Sequence, residues 1–135
     1  MVLGQPSFLV STANNGGISA ISMSTPSGIS VSGSKLYVVD QANNRVLIWN
    51  TIPTVNQTAA NLVLGQTTFT TNATGITSSA FNLPAQVVTN GSVVAVADRS
   101  NNRVLIWNTI PTTNGQVANV VLGQTLFTTN TVNTG

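Results

Sequence analysis

Asp40 and Asp98 carry the only side-chain carboxylates in the chain, and each is followed five residues later by an arginine, Arg45 and Arg103. Two carboxylates suit general acid–base work or a hard metal ion. Their surroundings favour a structural task. Each stands directly before a short turn, Gln41–Asn44 and Arg99–Asn102, ending in Asn-Asn. An aspartate there accepts backbone N–H bonds, and an arginine beyond the turn reaches back to pair with it. Asp40, Asp98, Arg45 and Arg103 are therefore expected to hold the backbone. Lys35 and Arg99 have no counterpart of like charge, since Val93 and Gln41 hold the matching places. They read as solvated surface charges, with a ligand contact as the alternative. Nucleophilic chemistry finds little support, because the chain has no His, no Cys and no Glu. No Ser or Thr has an evident base, and "NNGG" at 14–17 is a loop rather than a strand-to-helix phosphate cradle. The expectation is no catalytic residue, no metal ligand and no cofactor. Trp49 and Trp107 could stack on sugars, but their place between Ile and Asn in an apolar run favours core packing. Three Asn-x-Ser/Thr sequons, at Asn56, Asn72 and Asn90, are expected by chance in a chain with 20 Thr and 17 Asn.

That composition bounds the function further. Only six residues are charged, so the polar surface is built from hydroxyls and amides. Hydrophobics at 41% are enough to offset the ordering entropy that keeps Asn-rich tracts unfolded. A net charge of +2 without a Lys/Arg cluster argues against nucleic acid. The absence of Cys excludes a disulfide framework and a thiolate metal site. No apolar run approaches the ~18 residues of a membrane span. Residues 1–25 lack a basic start followed by a continuous apolar stretch. Low charge, abundant Thr and Asn and no Cys lean towards an extracellular or cell-envelope setting.

The elements that must position these residues come twice. "NNRVLIWNTIPT" stands at 43–54 and again at 101–112, 58 positions on. "VLGQT" at 63–67 and "FTTN" at 69–72 return at 121–125 and 127–130 with the same offset. A partial copy, "VLGQPSF" at 2–8, precedes the first full one by 61 positions. Each unit holds four short β-branched runs separated by turn signals: in the first, "GISVSG", "KLYVVD", "RVLIWN" and "ANLVLGQ". No helical apolar period extends over ten residues. In the third run Val46 and Ile48 point to one face, Leu47 and Trp49 to the other, so both faces are expected to be covered. A four-stranded meander covered on both faces and repeated in tandem is a β-propeller blade between two neighbours.

The stretches "LYVVDQANNRVLIWN" (36–50) and "VAVADRSNNRVLIWN" (94–108) resemble the NHL repeat, and Pro26 and Pro84 match its inner-strand start. The resemblance covers roughly residues 26–66 and 84–124. It implies an all-β fold of four-stranded antiparallel blades, two per chain, in a family whose rings commonly have six blades and act as binding platforms. The expected organisation is a stray outer strand and linker (1–25), a first blade (26–66), a linker (67–83), a second blade (84–124) and a tail (125–135). These units are longer than a compact NHL repeat, and the chain lacks both the basic face of RNA-binding propellers and the axial His of metal-holding ones.

Two blades leave apolar faces uncovered, which points to self-association, with three chains completing one ring. The functional expectation is a non-catalytic binding or scaffold module with itself, and a protein or glycan ligand, as partners. The alternatives are a structural repeat protein of the cell surface joined end to end, or a piece of a larger propeller lectin or enzyme. The amino-terminal "VLGQ" duplicates the fourth strand at 121–124. It is expected either to exchange into another chain or to be loosely held.

Overall fold

A computed structural model describes residues 1–132. The last three positions of the expected tail, 133–135, lie outside the described residues. The architecture is all-β: two four-stranded antiparallel sheets, each a simple meander. The first contains β1 (Pro26–Ser32), β2 (Lys35–Asp40), β3 (Arg45–Trp49) and β4 (Leu62–Leu64). The second contains β5 (Gln86–Thr89), β6 (Val94–Asp98), β7 (Arg103–Trp107) and β8 (Val120–Leu122). No helix among the described residues is long and apolar enough to cross a membrane.

Local chemistry explains the hairpins. A single 3-10 turn links β2 to β3 and another links β6 to β7, and each ends on an asparagine in the left-handed region, Asn44 (φ 51°) and Asn102 (φ 52°). Asparagine tolerates that conformation better than most residues. Arg45 then lies directly opposite Asp40, and Arg103 opposite Asp98, as the first cross-strand pair of each hairpin. Gly65 (φ 86°) follows β4 where the backbone passes close to its neighbours. A Cβ there would lie 2.6 Å from the Asn44 carbonyl oxygen and would also run into Phe81.

The main core lies between the sheets. Tyr37, Val39, Val46, Ile48 and Leu64 of the first meet Phe81, Val87, Val96, Leu105 and Trp107 of the second unit. A second cluster covers the opposite face of the first sheet, where Leu36, Val38, Leu47, Trp49 and Val63 pack with Met23, Leu3 and Phe69. The first sheet is therefore covered on both faces over β2, β3 and β4, while Ile29 and Val31 of β1 stay exposed. The second is covered on one. Leu105 and Trp107 are buried, but Val104 and Ile106 are only half-buried. The reason is topological, because the second sheet has a neighbour on one side only.

Residues 1–25, expected as a stray strand with its linker, form the cover of the first sheet. They reproduce the contacts that residues 63–83 make on the second. The Val2 carbonyl accepts the Gln57 N–H at 3.2 Å, as the Val63 carbonyl accepts that of Gly115 at 2.9 Å. The Val2 N–H donates to Asn56 Oδ1 at 2.9 Å, as that of Val63 does to Asn114 at 3.1 Å. The amino-terminal "VLGQ" is thus seated on its own chain, with Gly4 buried against Met23 and bridged to Ser22.

Candidate functional site

The two Asp–Arg pairs come together as their spacing suggests, and both side chains of each pair are fully buried. Asp40 Oδ1 accepts the Ser24 N–H at 2.7 Å. Its Oδ2 accepts Arg45 Nε at 2.7 Å and Asn43 Nδ2 at 2.8 Å. Asp98 repeats this with the Asn82 N–H, Arg103 Nε and Asn101 Nδ2, each at 2.8 Å. The arginines spend their remaining donors on carbonyls of the flanking segments. Arg45 reaches those of Ser19, Ser22 and Phe69; Arg103 reaches those of Ile76, Thr77, Ala80 and Phe127. Each pair is a rivet joining a turn to the segment lying over it. A carboxylate so enclosed offers no oxygen to a substrate or a metal ion.

Neither tryptophan presents a ring face to solvent, since Trp49 is 1% and Trp107 0% exposed. Their indole N–H groups donate to the carbonyls of Thr58 and Gln116, both at 2.9 Å. Trp107 also takes Phe81 edge-on, with centroids 6.1 Å apart and planes at 71°. Lys35 lies apart from both rivets, its ammonium 2.5 Å from Asn50 Oδ1 beside an open groove also lined by Asn61, Ile110 and Thr112. Arg99 is exposed.

Two features are not evident from the sequence. Asn44 Oδ1 accepts the Leu83 N–H at 2.8 Å while its Nδ2 donates to the Asn72 carbonyl at 2.9 Å, so a turn residue ties the first unit to the second. The repeated "NN" was the available signal. The phenol of Tyr37 is buried between the sheets with no group in hydrogen-bond geometry among the described residues. Burial pushes its pKa above the ordinary value, and the nearby Thr89 side chain tempers the rise. Nothing in "KLYVVD" distinguishes such a tyrosine from one whose hydroxyl reaches water.

What stays open is the outer face of the second sheet. Ladder register places Val88, Ala95, Ile106 and Val120 in one row, and Gln86, Ala97, Val104 and Leu122 in the next. Val88 is 55% and Leu122 52% exposed, whereas Leu64, at the position matching Leu122, is 0% exposed. This contrast between the two units is apolar. The chain matches no family model, and no curated protein is similar to it.

Proposed function

We propose that this chain is a non-catalytic scaffold or binding module made of two NHL-type propeller blades, and that it works as an assembly of several copies. One observation carries this reading: the second sheet leaves open a face whose counterpart in the first sheet is buried. A row of Val, Ile and Leu side chains on a sheet face is not left to water in a soluble protein. The close approach of β1 to β5 supports blades fanned about one axis. Burial of both carboxylates supports a non-enzymatic role. Six blades is the usual closure of the family the units resemble, so three chains make one ring.

Light scattering on the purified chain tests this. The expected mass is three times 13.9 kDa. A 13.9 kDa particle with a cooperative melt would overturn it. The same open face also suits an end-to-end structural polymer, which would appear as filaments in electron micrographs and as a mass far above three chains.

A further inference from the structure

The open face of the second sheet is a partial copy of a face whose partner is visible within the chain. Val104, Ile106 and Leu122 repeat Val46, Ile48 and Leu64, which are buried against the second unit. The complementary side of a second copy is its amino-terminal side. There Ile29 and Val31 are 64% and 54% exposed, although Val87, the counterpart of Ile29, is 0% exposed. Residues 2–5 lie on that side in the position that residues 63–66 hold over the second sheet. Yet residues 63 and 64 also pair with β3, whereas residues 2–5 belong to no ladder, and besides the Val2 bonds to Asn56 and Gln57 their one strand-type pairing is the Gly4–Ser22 bridge. They form a fourth strand without a sheet. β8, in turn, is a fourth strand weakly covered by its sheet: its three residues are half-buried, half-buried and exposed.

Resting on the self-assembly reading, we infer that the open face docks the amino-terminal side of another copy, and that residues 2–5 of that copy displace β8 beside β7. The positions that differ between the units fit this polarity. Inside the chain Tyr37 stands near Thr89. Between copies their counterparts are Ala95 and Val31, both apolar. The open face thus presents an apolar residue where the partner side presents one too. Continuity with the buried sheet-to-sheet contact identifies the occupant as a second copy of this chain.

The chain has no cysteine, so engineered pairs report cleanly. Val104 and Leu122 are direct cross-strand partners in β7 and β8, at a separation that suits a disulfide. The double variant Val104→Cys/Leu122→Cys pins β8 when oxidised. It should then remain a single 13.9 kDa chain and should assemble like the unmodified protein once reduced. Equal assembly in both states overturns the strand handover while leaving the scaffold reading intact. Failure of the unmodified chain to assemble overturns both.

A second pair, Leu3→Cys/Val104→Cys, should give a ladder of cross-linked chains on a non-reducing gel, and its absence counts against the handover. Polarity is read by mixing. Ala95→Arg and Ile29→Arg should each be single chains, and together they should form a pair through the one intact junction. If Ile29→Arg assembles alone, the amino-terminal side is not the partner.

Discussion

Asp98 and Arg103 are each other's neutralising charge in a buried site, and that sets the cost of separating them. Asp98→Ala leaves a guanidinium buried and unpaired, along with an orphaned Asn82 N–H. Loss of one member of a buried pair costs about 3–5 kcal/mol, and urea unfolding should show it. Trp107→Ala should lose a similar amount, about 3–5 kcal/mol, by deleting a large buried aromatic. Tyr37 behaves in the opposite sense. Its buried hydroxyl has no partner in hydrogen-bond geometry among the described residues and only the Thr89 side chain nearby, so Tyr37→Phe should not destabilise and should stabilise by up to about 1 kcal/mol.

The same phenol gives an alkaline signature. Its folded pKa lies above its ordinary value of 10.0. The unfolded chain therefore loses the proton first, so the stability it contributes is complete below about pH 10 and falls as pH rises beyond it. It is the only tyrosine, so tyrosinate absorbance should rise with unfolding and not before. The alkaline slope should be weaker in Tyr37→Phe. A phenolate that titrates freely near its ordinary value in the folded state would contradict the buried placement.

The fourth strands differ by context rather than by sequence. Leu64 and Leu122 sit in the same "VLGQT", yet only Leu64 is fully buried. Leu64→Ala should cost about 2–5 kcal/mol. Leu122→Ala should cost under about 1 kcal/mol in the isolated chain, as surface substitutions do. Equal losses in thermal melts would mean that the second sheet is covered too.

The eight strands were legible because β-branched runs alternate with turn residues, and the Asp–Arg rivets because charge is so scarce that a repeated pair stands out. The covering role of residues 1–25 was not legible. It rests on backbone carbonyls at Ser19 and Ser22 and on the peptide group of Val2, which any sequence carries. The three extra positions before β1 also hid the match with residues 63–83. The exposed side of the second sheet was hidden for another reason. β3 and β7 are the same five letters, and identical letters cannot say which copy has a neighbour.

At the scale of the molecule, each sheet depends on a segment that precedes it in the chain. Residues 2–25 complete the first, and residues 63–83 complete the second. The repeating entity is therefore a cover joined to a sheet, and its last strand is the start of the next cover. Such a chain grows by insertion. One more 58-residue copy spliced between Gln66 and Thr67 finds a cover already waiting and supplies one for the sheet after it. Both ends stay as they are, and the one misfit is the copied Gln86, which stands where Gly28 now clears the backbone of the next unit. Tandem duplication is thus a short route to a longer protein of this kind, and the twelve letters shared by 43–54 and 101–112 are the part of the unit that such a route keeps.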